Sequence, residues 1–174
     1  MSGKATIPPS LWDEITVITV THNTGLVIGN FLDNLSDQAK LIVVDNASTD
    51  DTLDIVAAKR PNAKLIKNEV GLGYGNGCNC GVQLVETPFV VFANPDSVCT
   101  DAVLEHLYAA ALRYPTGGLF GPTVLNTDGS VEFSHDVEIW KRRIYAPHSA
   151  NEAPGGDICA EFVTGVVALV RMEA

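Results

Sequence analysis

Apolar residues along this chain fall into short continuous runs, and between those runs they recur at helical spacing. The first run, Ile15-Thr16-Val17-Ile18-Thr19-Val20, is β-branched at every position and predicts a strand. From Gly25 to Leu35 the apolar residues Leu26, Ile28, Phe31, Leu32 and Leu35 share one helical face. Leu41 to Val44 is apolar throughout, as a parallel strand buried on both faces must be. The helix predicted after it is capped by Ser48 or Thr49, carries Asp50 and Asp51 in its first turn, and stops before Pro61. Ala63 to Ile66 predicts a third strand, and Asn76 to Leu84 a helix opened by a glycine-rich turn. Phe89 to Ala93 predicts a fourth strand, and Ala102 to Arg113 a helix closed by Pro115 and Gly117-Gly118. Strand and helix alternate without a repeat or an internal linker, which predicts one α/β domain built on a doubly wound, mostly parallel sheet.

Beyond Leu119 the texture changes. Gly121 to Leu125 and Ser130 to Phe133 flank Asn126-Thr127-Asp128-Gly129, a hairpin turn signal. His135 to Asp157 reads as irregular, and Glu161 to Arg171 as one last strand. At the other end Pro8-Pro9 blocks regular structure, so residues 1–13 are expected to be a flexible lead-in to a domain over 14–174.

In open α/β sheets, ligands bind outside the carboxyl ends of the strands. Three predicted strands lead to polar patches: Asp45-Asn46-Ala47-Ser48-Thr49-Asp50, Asn68 through Gly77, and Asn94-Pro95-Asp96-Ser97. Together they point to one shared site for a nucleotide and a metal ion. Asp96 either holds a hard divalent ion such as Mg²⁺ or Mn²⁺, which would grip a diphosphate, or caps a helix starting after Ser97. Asp45 either accepts hydrogen bonds from a base imide or a ribose hydroxyl, or closes an Asx turn. His22, beside Asn23 at the first strand's end, either meets a base or is structural.

The glycine-rich turn excludes the main rivals. From Gly71, Gly73 and Gly75 the third glycine of a dinucleotide fingerprint falls on Asn76, Cys78 and Cys80, and the turn follows the third strand rather than the first. No Gly-Lys-Ser/Thr phosphate loop and no G-x-S-x-G nucleophile elbow occurs.

A net charge of −10 argues against a nucleic-acid partner, since phosphate binding is driven by clustered Lys and Arg, and Lys141-Arg142-Arg143 is the sole basic cluster. Cys78-Asn79-Cys80 is too closely spaced for paired zinc ligands and has no second pair. Cys78, Cys80, Cys99 and Cys159 therefore read as buried thiols, which fits a cytoplasmic protein. No apolar run is long enough to span a bilayer, and the first residues lack a secretory signal.

Taken in order, these segments resemble the family 2 glycosyltransferases, more narrowly their rhamnosyltransferase-like branch. Thr16 through Asn23, Val43 through Asp50, Asn68 through Gly81, Phe92 through Asp96, Gly121-Pro122 through Ser130, and Gly165 through Arg171 carry the resemblance. It implies a GT-A nucleotide-diphospho-sugar-binding fold with a C-terminal hairpin and strand, and a divalent ion, Mg²⁺ or Mn²⁺. The implied donor is a dTDP- or UDP-sugar, with rhamnose suggested by the branch. The implied reaction is inverting transfer to a glycan or lipid-linked acceptor in bacterial polysaccharide biosynthesis.

Carried over by position, Thr21 and His22, with Asn23 beside them, would line the base pocket, and Asp45 would contact base or ribose. Asn68, Gly71, Tyr74 and Asn76 would flank the nucleotide. Asn94 stands where the commoner motif has a first aspartate, and Asp96 would be the metal ligand. The resemblance also places the catalytic base beyond Ala174, so the chain is expected to bind donor and transfer it poorly, within a parent enzyme at the inner face of the membrane. The competing expectation is a non-catalytic α/β nucleotide-binding or partner-binding module. A nucleotidyltransferase would need a basic activating loop near the first strand, and Thr21 to Gly25 holds no Lys or Arg.

Overall fold

A computed structural model describes residues 10–131, 135–136, 157, 162–163 and 165–172. A six-stranded sheet carries the fold, in the order β3-β2-β1-β4-β8-β5. Strands β1 (Ile15–Thr21), β2 (Lys40–Asn46), β3 (Lys64–Asn68) and β4 (Phe89–Ala93) are parallel neighbours. Strand β8 (Val167–Arg171) runs antiparallel between β4 and the short β5 (Leu119–Phe120). A separate ladder joins β6 (His135–Asp136) to β7 (Phe162–Val163).

Alternation along the strands divides the core in two. Ile15, Val17, Leu41, Val43, Phe89, Val91, Val167 and Leu169 face the larger half, under helices α2 (Gly25–Asp33), α3 (Thr52–Lys59) and α5 (Asp101–Arg113). Ile18, Val20, Ile42, Val44 and Val90 face the smaller half, covered by α4 (Tyr74–Val82). The parallel strands, covered on both faces, are apolar in continuous runs for this reason. Strand β3, at the edge, is largely exposed and carries Lys64 and Lys67, which discourage pairing with another chain.

Several boundaries differ from expectation, each for a local reason. Helix α1 (Leu11–Glu14) occupies part of the expected flexible lead-in, because the Ser10 hydroxyl accepts from Trp12 N at 3.4 Å and Leu11 and Trp12 pack on the core. Helix α3 begins at Thr52, and Asp50 rather than Ser48 or Thr49 accepts its first N–H. Helix α4 begins at Tyr74, two residues before the expected start, with Gly73 at φ +77° preceding it. The expected last strand over 161–171 is two pieces, β7 and β8, separated by a turn at Gly165-Val166. The hairpin turn at 126–129 is present: Asn126 N donates to Ser130 O at 2.8 Å, and Leu125 bridges Val131. Residues 1–9 and most of 137–161 lie outside the described residues.

Helix α4 lies close to the sheet because glycine faces it at two successive turns. A Cβ on Gly77 would stand 2.7 Å from Val20 Cγ1, and one on Gly81 would stand 2.8 Å from Ile18 Cγ2 and 3.2 Å from Val44 Cγ2. Both strands are fully buried there, so the sheet cannot yield cheaply. Gly81→Ala should therefore lose about 1–3 kcal/mol of stability by overpacking. Gly75→Ala, where nothing lies within 4 Å of the added carbon, should gain about 0.5–1 kcal/mol from helix propensity. Urea unfolding midpoints for the two variants check the pair, and opposite signs are the expected outcome.

Candidate functional site

The carboxyl ends of β1, β2, β3 and β4 lie on one side of the sheet, since these strands are parallel. In register, Thr21 stands opposite Asp45. The Thr21 hydroxyl donates to Asp45 Oδ1 at 2.8 Å, Ser48 N donates to Oδ2 at 2.9 Å, and the Ser48 hydroxyl donates to Oδ1 as well. Asp45 is 2% exposed and Thr21 is fully buried, so the carboxylate takes its hydrogen bonds from protein donors rather than from water. Ala47, just past it, holds φ +60°, a left-handed conformation costly for a residue with a Cβ.

Asn23, at φ +53°, locks the β1 loop to the β2 loop. Its N–H donates to Ser48 Oγ at 2.8 Å, and its side-chain oxygen accepts from Thr49 N at 2.8 Å. Asp50 accepts from Gly25 N at 3.0 Å and from the N–H and hydroxyl of Thr52. The Thr52 hydroxyl is the first cause holding the Asp50 carboxyl below its usual range.

His22 is exposed, and its Nδ1 lies 2.7 Å from Asn46 O. A carbonyl only accepts, so Nδ1 carries the proton and Nε2 keeps a free lone pair when the ring is neutral. Asn46 also binds with its side chain: Asn68 Nδ2 donates to its Oδ1 at 2.8 Å, and its Nδ2 donates to Gly73 O at 3.1 Å. Gly71 passes near the same carbonyl, with its would-be Cβ 4.0 Å from Asn46 O. Asn76 stands apart, exposed, with its amide on Leu72 O.

Beside these strand ends lies a groove of about 610 Å³ lined by Thr24, Val27, Tyr74, Asn94, Pro95, Asp96, Gly165 and Val166. Asn94 N donates to Val166 O at 2.9 Å, which fixes the β4 end to the turn before β8. Ser97 closes the Asn94-Pro95-Asp96 turn by donating from N and Oγ to Asn94 O. Helix α5 starts only at Asp101 after Thr100, so Asp96 is not its cap. Its exposed carboxylate has no hydrogen-bond partner among the described residues. Tyr74 closes the opposite side, its hydroxyl 3.4 Å from Gly165 O and its phenol pushed above the ordinary range by burial.

An exposed, unengaged carboxylate at a strand end fits a hard divalent ion, and Asn94 beside it offers neutral donors. No cluster of three or more His, Cys, Asp or Glu suited to a metal occurs among the described residues. An ion here would thus draw most of its oxygen ligands from a bound diphosphate and water. Cys78 and Cys99 are buried free thiols and Cys80 is half-buried; Cys159 lies outside the described residues.

The structure thus gathers Thr21, His22, Asn23, Asp45, Asn68 and Gly71 around Asn46 and Ser48, and Tyr74, Asn94 and Asp96 around the groove. Sequence reasoning passed over Asn46 and Ser48 as site residues although both sit in the Asp45-to-Asp50 patch. It also passed over Val27, Gly165 and Val166, the last two because they fell inside one expected strand.

The profile of glycosyl transferase family 2 matches residues 16–171, and the chain belongs to this family. Its sheet is of the GT-A type found in the solved neighbours. Among curated proteins it is similar to an N-acetylglucosaminyl-diphospho-decaprenol L-rhamnosyltransferase of Mycobacterium tuberculosis. The two are 32% identical over 134 residues, 68% of this chain and 44% of that protein. The chain therefore spans less than half the length of that relative. S. aureus TarS superposes with a TM-score of 0.58 at 25% identity, over 67% of this chain and 22% of TarS. The Pyrobaculum calidifontis mannosyltransferase PcManGT, in complex with GDP-Man and Mn²⁺, superposes with a TM-score of 0.53 at 27% identity, over 65% of this chain and 36% of that one.

Two outcomes check this geometry. Nitrogen-15 NMR of the neutral His22 ring should show the proton on Nδ1; a proton on Nε2 would mean that the contact with Asn46 O is not made. Asp50 contributes stability above its unfolded value of 3.8, and that contribution disappears as pH falls through its lower folded value. The stability gap between the chain and Asp50→Asn should be constant near neutral pH and close below pH 3.8.

Proposed function

We propose that this chain is the donor-binding domain of an inverting glycosyltransferase that takes a nucleotide-diphospho-sugar together with a divalent ion. The observation that carries the reading is Asp96: an exposed carboxylate without a hydrogen-bond partner among the described residues, just past the end of a buried strand and in a groove beside the Thr21–Asp45 strand ends. Family membership and the likeness to PcManGT with GDP-Man and Mn²⁺ support a sugar-nucleotide donor and a metal. The N-acetylglucosaminyl-diphospho-decaprenol L-rhamnosyltransferase relative supports rhamnose as the sugar and a lipid-linked acceptor; in this reading the donor is a dTDP- or UDP-sugar.

In this reading the β1 and β2 ends hold the base and ribose, with His22 Nε2 facing the ligand and Asp45 keeping the loops around it in place. Asp96 holds the ion, and Asn94 orients the diphosphate beside it. The ion, when bound, would offset the negative charge that builds on the departing nucleoside diphosphate. Tyr74, kept neutral, can donate or accept one hydrogen bond at the sugar side. Asp96 is the only carboxylate lining the groove among the described residues. With Asp96 assigned to the ion, no other carboxylate lining the groove among the described residues is left to act as general base, so donor binding is the property this site puts to the test.

Calorimetry with UDP, dTDP and GDP, each with Mn²⁺ and with EDTA, tests the reading. One nucleotide should bind in the presence of Mn²⁺, and Asp96→Ala should weaken that binding on the order of 10- to 100-fold. Binding that ignores both EDTA and the substitution would favour a plain nucleotide or partner module. No binding to a folded chain would count against the donor reading.

A further inference from the structure

The glycine-rich segment 69–76 is exposed at every position, yet it leads into the helix that borders the groove. Its internal bonds, Asn76 Nδ2 to Leu72 O and Gly77 N to Gly73 O, shape the loop without fixing it to the sheet. Among the described residues two hydrogen bonds tie it elsewhere: Tyr74 to Gly165 O at a long 3.4 Å, and Asn46 Nδ2 to Gly73 O at 3.1 Å.

Asn46 is suited to hold this loop. It is 4% exposed, so it is closed off from a ligand, and it ends a central strand. Its side-chain oxygen is occupied by Asn68, which orients the amide so that its N–H points at Gly73 O. Gly77 lies beside that amide: a Cβ there would stand 3.4 Å from Asn46 Nδ2. Its carbonyl meanwhile sets the His22 ring. One buried residue thus joins the ends of β1, β2 and β3 to the start of α4.

We propose that Asn46 is a positioning residue that pre-organises the glycine-rich loop for the nucleotide, acting through Gly73 and α4. This rests on the nucleotide reading of the site. A loop already ordered spares the ligand the entropy of ordering it, so the loss of this tether appears as weaker binding.

Three variants separate the arms. Asn46→Ala removes both, Asn46→Asp keeps the acceptor for Asn68 but cannot donate to Gly73 O, and Asn68→Ala removes only the other arm. Each is compared at a temperature where denaturation shows it folded. Binding of the nucleotide with Mn²⁺ should weaken about tenfold in Asn46→Ala and Asn46→Asp, the size of one hydrogen bond. Exchange of the Gly77 amide, whose bond to Gly73 O depends on the loop, should accelerate by a similar factor in both. Asn68→Ala, which keeps the donor to Gly73 O but no longer fixes the orientation of the amide, should accelerate Gly77 exchange less than Asn46→Ala does.

Unchanged Gly77 exchange in Asn46→Ala would overturn the proposal, as would wild-type nucleotide affinity in that variant. Weaker binding in Asn46→Asp alone would assign the effect to the added charge and overturn it too. If the unaltered chain binds no nucleotide, the donor reading falls and the ligand half of the proposal with it. The Gly77 exchange still decides whether Asn46 holds the loop.

Discussion

Asp45 lies buried at the end of β2 with three protein donors on its two oxygens. A charge there tolerates no loss of partners, because removing one donor leaves an ion in a poor solvent. The donors come from β1 and from the loop after β2, so satisfying the carboxylate forces these segments together. Once Ser48 is held by Asp45, it is placed to accept from Asn23 N, and Asn23 in turn accepts from Thr49 N. The left-handed turns at Asn23 and Ala47 persist because this network over-determines them. The electrostatics of one side chain thereby dictate the shape of two loops.

On the opposite face the constraint is steric. Helix α4 is narrow where it meets the sheet, and this brings the start of the helix near Asn46 and the groove. Packing at Gly81 and geometry at Gly73 are thus two ends of one arrangement: the first sets how near the helix lies, the second where it begins. The site borrows its rigidity from the core, with buried residues such as Thr21, Asp45 and Asn46 carrying order to an exposed rim.

Much of this was legible in the chain. The parallel strands are short apolar runs because both of their faces are covered, and Phe89–Ala93 reads the same from sequence and structure. The polar patches at the strand ends come together on one side of the sheet because the strands share a direction. Less legible was whatever depends on partners distant in sequence. The Asp50–Thr52 contact moved the start of α3, and the packing of Leu11 and Trp12 produced a helical turn where proline suggested none. Asp96 had two readings until the start of α5 at Asp101 removed the capping one. The break at Gly165-Val166 was invisible because apolar residues continue on both sides of it. Asn46 looked like one polar residue among five in its patch, and only its burial together with its bonds to Asn68 and Gly73 sets it apart.

The place of β8 has a consequence for biosynthesis. This strand follows the other strands of the sheet in sequence, yet it lies inside the sheet, hydrogen-bonded to β4 on one side and to β5 on the other. A chain emerging from the ribosome can assemble its parallel half early, from segments close in sequence. Until residues 167–171 follow, β4 is a bare edge presenting Val90, Val91 and Phe92 to any other strand. The turn that lines the groove arrives with the same segment. Protection against aggregation and completion of the binding surface are thus achieved by one late event, and a nascent chain that stalls before it is exposed on both counts.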